Sequence, residues 1–420
     1  MRTFLKIIIF LLVLILIGFA VYVAFFQNKN PSGENNNITP IGSVSNSNGL
    51  PIADQQVFTP RATTTLVTPE ENFQPANSLI SELGANEIST SQMIAPLLIE
   101  PAVVGTSTAS TTEPYLIYLG QNKNGIYKKT LGNSEPEKIA ELETVKIKKV
   151  VWALDKQDFK LFTLAIDGKT NLIKMVTWPE ATTTLPNGNI YDLAVSPNQK
   201  QLFYLEEKVG ETFGYLTDLE FKKKELVFTS PFTSWHVNWF TPGAIAFAGK
   251  ASNQALGLVY FLDLKTKKLT RVLGDRLGLS VLPSLGGTHL ALSQTEGRQT
   301  RLSFYDLKKS EVVGPTLNTL AEKCVWADNE IIYCAVPKTL PAGDYPDSWY
   351  RGEINFADEI WRANITTGET KRISVANNLT DLSENNFDAE NLFLNQEATT
   401  LFLLNRLNSR LMAFDLKETL

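Results

Sequence analysis

The chain has 420 residues and a formal net charge of −5 at pH 7, with two histidines and two cysteines. The length accommodates one large all-β domain with additional segments, and the mild negative charge argues against the basic face of a nucleic-acid-binding protein. Zinc ribbons and multi-histidine metal centres need more ligands than these four residues supply. We therefore expect no metal ion, no cofactor and no nucleic-acid partner.

The N-terminal region predicts a membrane anchor. Residues 7–26 are apolar and uncharged, and a helix of about 20 residues spans roughly 30 Å, the thickness of a bilayer core. Because Arg2 and Lys6 precede this run, the positive-inside rule places residues 1–6 in the cytoplasm and the rest of this single-pass protein outside. The alternative is a cleaved signal peptide, although the run is long for one and residues 20–26 offer a poor cleavage site.

Residues 27–92 predict a disordered linker. They are rich in Asn, Ser, Thr and Pro, and such a composition buries too little apolar surface to offset the chain entropy lost on folding. A flexible chain of about 65 residues reaches roughly 45 Å, which would hold a folded domain away from the membrane. Within it, residues 78–87 could form a short helix.

A repeated pair of strands organises residues 93–420. Equivalent points of the repeat lie at Trp152, Val195, Trp239, Pro283 and Trp326, at steps of 43, 44, 44 and 43 residues. A third strand, a turn and a fourth strand follow each pair. Four short strands at this spacing are typical of a β-propeller blade, because radially arranged sheets cover one another's faces.

We predict an all-β propeller of seven blades, with six as the alternative. Five strand pairs are clear, residues 391–404 supply a sixth, and three strands from residue 115 onward belong to a first blade. Residues 102–104 are a candidate for the innermost strand of that blade. The final blade has no fourth strand of its own, and residues 93–99 could fill that place. A ring closed by strands from both ends of the chain removes exposed sheet edges, and we expect a monomer.

The segment AVSPNQKQLFYL, which starts at Ala194, resembles the S-P-D-G-K-x-[LI]-x-[YF] signature of TolB-type, WD40-like bacterial propellers. The D-L-x-T-x-x pattern at residues 263–268 and the turn at residues 366–369 fit the same family. This resemblance covers roughly residues 113–420 and implies the propeller fold. The chain departs from the family in lacking its preceding small α/β domain, and most repeats lack the D-G turn.

One irregularity interrupts the repeat. About 68 residues separate Trp326 from its equivalent near Asn395, and the excess includes residues 337–360. Long insertions in compact repeats are often functional, and exposed aromatic and arginine side chains anchor partners. The candidate binding residues are Tyr345, Asp347, Trp349, Tyr350 and Arg351. Alternatively the aromatic rings pack on their own blade, or the carboxylates bind calcium, although the spacing of a calcium loop is missing.

The two cysteines and two histidines have structural interpretations. Cys324 and Cys334 are symmetric about Asn329, so a hairpin that turns there places them opposite each other on neighbouring strands. Outside the membrane they would form a disulfide, and the alternative is a pair of buried free thiols. His236 and His289 are interpreted as core or loop residues rather than catalysts.

Two functions follow from these patterns. The chain contains no G-x-S-x-G, P-loop or G-x-G-x-x-G motif. We therefore expect a membrane-anchored, extracytoplasmic propeller that acts as a binding or scaffold module of the cell envelope, with an envelope protein or glycan as partner. The alternative is a surface glycan or peptidoglycan hydrolase, which would need two carboxylates about 5–9.5 Å apart in the propeller funnel.

Overall fold

Seven antiparallel sheets of four strands each form a β-propeller in the computed structural model. The structure describes residues 80–82, 93–99, 115–120, 125–130, 136–141, 146–155, 158–167, 170–177, 182–184, 188–373, 386–408 and 410–416. All of them belong to one compact unit, Thr64–Leu420. None of the described helices is both long and apolar enough to cross a bilayer, and the anchor predicted at residues 7–26 lies outside the described residues.

Six blades are built from four consecutive strands each. Blades 1 to 3 are β2–β5 (Met93–Ile99, Tyr115–Gly120, Gly125–Thr130, Glu137–Glu141), β6–β9 (Lys146–Asp155, Asp158–Asp167, Thr170–Thr177, Thr182–Thr184) and β10–β13 (Asn189–Val195, Gln201–Lys208, Glu211–Asp218, Lys224–Ser230). Blades 4 to 6 are β14–β17 (Trp235–Thr241, Ala244–Gly249, Leu256–Asp263, Leu269–Leu277), β18–β21 (Ser280–Pro283, His289–Glu296, Gln299–Asp306, Glu311–Leu317) and β22–β25 (Cys324–Trp326, Ile331–Pro337, Asp358–Asn364, Thr370–Ile373). Blade 7 contains β26–β28 (Ala389–Leu394, Thr400–Asn405, Arg410–Asp415) and β1 (Ile80–Glu82). A 3₁₀ turn, Ala321–Lys323, precedes β22, and a short helix α1, Asp347–Tyr350, lies between β23 and β24.

The first strand of each blade lies nearest the axis. β2 contacts β6, β6 contacts β10, and β10 contacts β14, so these strands surround a central channel. The second strands lie within the sheets; β11 and β23 are buried over most of their length, and β15 over half of its length. Their side chains fill the space between blades. Phe203 and Phe247, for example, meet edge to face across blades 3 and 4, with ring centroids 5.6 Å apart.

Strands from both ends of the chain close the ring, but not the strands that the sequence suggested. Met93–Ile99 is β2, the innermost strand of blade 1, and pairs with β3 through Met93↔Gly120 and Ile99↔Tyr115. The prediction that it completes the last blade is therefore wrong. That place is taken by β1, which pairs with β28 through Ile80↔Phe414 and Glu82↔Met412. The short helix expected around these residues is replaced by this strand, because edge pairing outweighs weak local helix propensity.

The turn that carries the family resemblance keeps its shape without glycine. Gln199 stands where the signature has Gly, and its φ is 60°. The equivalent turns place Gly287 at 65° and Ala398 at 53°. The hydroxyl of Ser196 accepts the Gln201 N–H at 2.9 Å, which fixes the turn locally. Side-chain hydrogen bonding therefore maintains a left-handed conformation that glycine adopts at lower cost.

Cys324 and Cys334 are paired across β22 and β23. Their Cα atoms are 4.1 Å apart, the close spacing of a non-hydrogen-bonded pair, and their sulfur atoms are bonded. Both residues are buried in the core between blades 5 and 6. The bond thus joins the first and second strands of the blade that carries the insertion.

A candidate ligand-binding site on the upper face

The insertion and the connections between blades lie at the same end of the propeller. In these antiparallel sheets, one end holds the start of the first strand, the connection from second to third strand, and the end of the fourth strand. We call this end the upper face. The insertion, residues 338–357, joins the second and third strands of blade 6 and therefore belongs to the upper face.

Most aromatic rings of the insertion are buried. Tyr345, Trp349 and Phe356 pack with Leu320 in a small cluster of their own. The Trp349 and Phe356 rings are stacked with centroids 6.1 Å apart, and Tyr345 lies 5.9 Å from Phe356. These three rings therefore pack against one another and Leu320 rather than facing solvent.

A buried ionic network lies beneath these rings. The Lys323 ammonium is fully buried and contacts Asp358 Oδ2 at 2.7 Å, Asp388 Oδ1, and the Ala389 carbonyl oxygen at 2.7 Å. The Trp349 indole N–H donates to both oxygens of Asp388, at 3.0 and 3.1 Å. Burial raises the pKa of Asp358 to about 6, although Lys323 acts in the opposite direction. The network therefore joins the insertion to blades 6 and 7.

The insertion also contacts three further parts of the upper face. Asp347 accepts the Asn253 N–H of blade 4 at 2.7 Å. The Thr295 hydroxyl of blade 5 donates to the Tyr345 carbonyl oxygen at 2.6 Å. In blade 7, Arg406 donates to the Trp349 carbonyl oxygen at 2.7 Å and lies over the Trp349 ring. The insertion is thus held across blades 4 to 7.

A cavity of about 480 Å³ opens beside the insertion, between blades 4, 5 and 6. One wall is the face of β14 and β15 on which His236 pairs with Ala248, and Asn238 with Ala246. The small side chains of this wall leave space that larger residues would fill. The full lining combines β14, β15, β18, the 3₁₀ turn and the insertion: residues 236–238, 246, 248–251, 280–283, 321, 322 and 350.

The predicted site residues have different positions in this arrangement. Tyr350 lines the cavity, and its hydroxyl donates to Glu322. Burial, together with the nearby Glu322 charge, raises the pKa of Tyr350. Arg351 is exposed and pairs with Glu353, with Nη2 to Oε2 at 2.9 Å. Of the five candidates, the structure brings only Tyr350 into the cavity lining.

A second charged cluster lies near the start of the innermost strands. Asp192 is buried, its Oδ1 contacts Lys149 Nζ, and its Oδ2 accepts the Val237 N–H at 2.9 Å. His236 Nδ1 lies 3.5 Å from the same Oδ2, and its side chain is 65% exposed. Burial alone would raise the pKa of Asp192, but the Lys149 charge and these hydrogen bonds lower it below the ordinary value. Asp192 thereby links three successive blades.

None of these charged residues is among the five predicted site residues, although the repeat spacing contained a signal. Lys149, Asp192, His236, Ser280 and Lys323 each lie three positions before the reference point of their repeat. They therefore occupy equivalent places near the start of β6, β10, β14, β18 and β22. Among the described residues, no group of three or more His, Cys, Asp or Glu side chains is placed to hold a metal ion.

Comparison with known proteins gives matches in structure but not in sequence. No protein-family model matches the chain, and no curated protein matches it. Similar solved structures include TolB from Acinetobacter baumannii, with 12% identity, 72% of this chain and 62% of TolB covered, and a TM-score of 0.40. An oligogalacturonate lyase in complex with manganese has 9% identity, 78% and 98% coverage, and a TM-score of 0.48. Virginiamycin B lyase from Staphylococcus aureus has 11% identity, 81% and 99% coverage, and a TM-score of 0.48.

The match therefore spans less than two thirds of the TolB structure. At these identities the likenesses concern the fold and carry no activity to this chain.

Proposed function

We propose that this chain is a membrane-anchored, extracytoplasmic propeller that acts as a binding module of the cell envelope, and that its ligand occupies the upper-face cavity. Its ligand would be an envelope protein segment or a glycan fragment. The anchor is the apolar segment at residues 7–26, which would place a monomeric propeller outside the membrane.

The cavity carries this proposal. Its volume of about 480 Å³ lies within the range of roughly 300–1,000 Å³ that is usual for small-ligand sites. Apolar walls from Val237, Ala248 and Leu282 are combined with a few polar groups, among them His236 and Glu322. This combination of an apolar lining with few polar groups favours binding and orientation of a ligand.

The lining supports binding better than glycan hydrolysis. Glycosidases use two carboxyl groups that face each other about 5–9.5 Å apart. Among the described lining residues, Glu322 supplies a carboxylate and no second acidic residue is present. Asp192, although close to His236, is buried and paired with Lys149. The hydrolase alternative therefore has no observation in its favour at this cavity.

A cavity-filling variant tests the proposal. Ala248→Phe should fill the cavity, whereas Ala244→Phe changes the same strand at a residue outside the lining. The full-length chain in detergent would be screened by thermal shift against defined muropeptides, oligosaccharides and short peptides. We expect at least one class to raise the midpoint by a few degrees, since a ligand at about 100 times its Kd stabilises by roughly 2.7 kcal/mol. The shift should disappear in Ala248→Phe and persist in Ala244→Phe. A shift retained by Ala248→Phe, or no shift with any class, would contradict the proposal.

The topology part of the proposal has its own measurement. A reporter that is active only outside the cytoplasm, fused after Leu420, should be active in cells. A fusion that replaces residues 7–26 with a polar sequence of equal length should be inactive. Activity of a cytoplasmic reporter at Leu420 would contradict the proposed location.

A further inference from the structure

We infer that Glu322 and Tyr350 form a subsite for an organic cation, an ammonium or guanidinium group carried on a small apolar body. This inference rests on the proposed function, because it names the chemistry that the same cavity would recognise. It assigns one end of the cavity to the charged group and the apolar walls to the body of the ligand.

Glu322 has the properties expected of a carboxylate that binds a cationic ligand. It is exposed, lines the cavity, and forms no ion pair with another described residue. The neighbouring Lys323 does not neutralise it, since that ammonium is directed to Asp358 and Asp388. The described contact of the Glu322 side chain is the hydrogen bond that Oε1 accepts from Tyr350. A carboxylate with one oxygen held in this way retains the other for a ligand.

Both groups are fixed by rigid surroundings. Glu322 lies in the 3₁₀ turn between buried Ala321 and buried Lys323, and the Ala321 N–H donates to Ser293 Oγ at 3.2 Å. Tyr350 ends α1, with its ring 5.9 Å from the Trp349 ring, which is itself held by Asp388. A ligand would therefore meet a carboxylate and an aromatic ring that are already oriented, which reduces the ordering cost of binding.

A carboxylate beside an aromatic ring is suited to an ammonium or guanidinium group. The charge pairs with the carboxylate, and the ring face attracts the same cation. The protein already places one cation between a carboxylate and a ring nearby, and a second cation over the same ring. Lys323 contacts Asp388 and lies 5.0 Å from the Trp349 ring centre, and Arg406 lies 4.7 Å from the same centre.

The remaining lining determines the orientation of the ligand. Lys250 directly follows β15 on the β14–β15 wall, so its positive charge disfavours a cation there. Between that wall and Glu322 lie apolar side chains of β18, Val281 and Leu282. The cation is therefore directed to the Glu322 end, with the aliphatic part of the ligand against β18.

The test uses three probes with the full-length chain in detergent, titrated by calorimetry. They are acetyl-Ala-Arg-Ala-amide, the same peptide with neutral citrulline in place of arginine, and n-butylguanidine. We expect the arginine peptide or butylguanidine to bind, and the citrulline peptide to bind at least about tenfold more weakly. Tighter binding of the peptide would identify a peptide side chain as the ligand group, whereas equal binding would identify a small cation.

Variants separate the subsite from general effects. Glu322→Gln should weaken binding of the cationic probes at least about tenfold, and because the side chain is exposed, its melting midpoint should match that of the wild type. Tyr350→Leu should also weaken binding. Glu353→Gln changes an exposed carboxylate of the insertion that contains Tyr350, and it should leave binding of the cationic probes unchanged. Equal affinity for arginine and citrulline, or full affinity in Glu322→Gln, would overturn the subsite. If the cation subsite is overturned but another ligand binds the wild type and not Ala248→Phe, the proposed function stands without the cation subsite.

Discussion

Asp358 shows how one buried carboxylate couples the insertion to pH. Its Oδ2 contacts Lys323 at 2.7 Å and accepts the Ala389 N–H at 2.7 Å. Its Oδ1 is buried without a hydrogen-bond partner among the described residues. The neighbouring Asp388 adds a second negative charge around a single ammonium. Protonation of Asp358 therefore relieves both the desolvation cost and the excess charge.

The stability of the fold should consequently fall as the pH rises through this pKa. The folded-state pKa of Asp358 is raised from 3.8 to about 6, so the folded state holds the proton more tightly than the unfolded state. This contribution is complete below the unfolded pKa and is lost as the pH rises through about 6; from about pH 5 to pH 8 it amounts to roughly 1–2 kcal/mol. Denaturant unfolding of the wild type should show this loss, and Asp358→Asn should lack it. An identical pH dependence in both proteins would contradict this role.

Ala398 has a backbone conformation that glycine would adopt at a lower cost in free energy. Its φ is 53°, in a turn where the side chain of Asn395 accepts the Thr399 N–H at 2.8 Å. A left-handed conformation costs a non-glycine residue about 1–2 kcal/mol. Glycine avoids this cost, but part of the gain is lost because glycine has a larger conformational entropy in the unfolded state.

Ala398→Gly should raise the melting midpoint by about 1–3 °C, for a net gain of roughly 0.5–1 kcal/mol. The matched control is Gly297→Ala, at a φ of 63° where an added Cβ meets no atom within 4 Å. It should lower the midpoint by a similar amount. Shifts of the same sign in both variants would refute the backbone explanation.

At the scale of elements, the insertion, residues 338–357, contacts blades 4 to 7 along the upper face, and we call it the strap. Removing residues 342–354 would take the Trp349 N–H from Asp388 and the Trp349 ring from above Lys323, so the contacts of the insertion are better weakened one at a time. Arg351 is exposed immediately after α1 and offers trypsin a site within the strap.

Loosening the strap should therefore accelerate cleavage after Arg351. Arg406→Ala removes the hydrogen bond to the Trp349 carbonyl oxygen, and Asp347→Ala removes the acceptor of the Asn253 N–H. Each should increase the cleavage rate several-fold, because proteolysis follows the population of the open state. Lys267→Ala, which removes an exposed ion pair on the opposite side of blade 4, serves as the control. Unchanged cleavage in both strap variants would show that the contacts do not hold the insertion.

For the whole molecule, ring closure depends on the three-residue strand β1. It covers the edge of β28, which would otherwise present unpaired backbone groups. A chain that starts at Thr64 retains β1, whereas one that starts at Asn86 lacks it. We expect the shorter chain to melt several degrees lower and to form aggregates detectable by light scattering. Equal melting and solubility would show that closure does not need β1.

The propeller was predictable because its signal is repeated. A spacing of 43 or 44 residues reappears in every clear repeat, and radial packing of four-stranded sheets lets each blade cover the face of its neighbour. The closing strand was not predictable, because three residues carry no periodic pattern. Lys323 was also missed, since a lysine in a sequence is normally expected in solvent. Its burial follows from Asp358 and Asp388, which approach it only in the folded chain. The cavity likewise arises from small residues of β15 facing another blade.

We propose that the upper-face cavity between blades 4, 5 and 6 holds the ligand, and hydrogen exchange can locate the ligand on the molecule. The full-length chain would be compared with and without a ligand found by the thermal-shift screen. We expect slower exchange in peptides that cover residues 236–251, 280–283 and 321–322, and unchanged exchange in the lower turns at residues 196–201 and 284–289. Slower exchange confined to those lower turns, or to the outer strands, would contradict it.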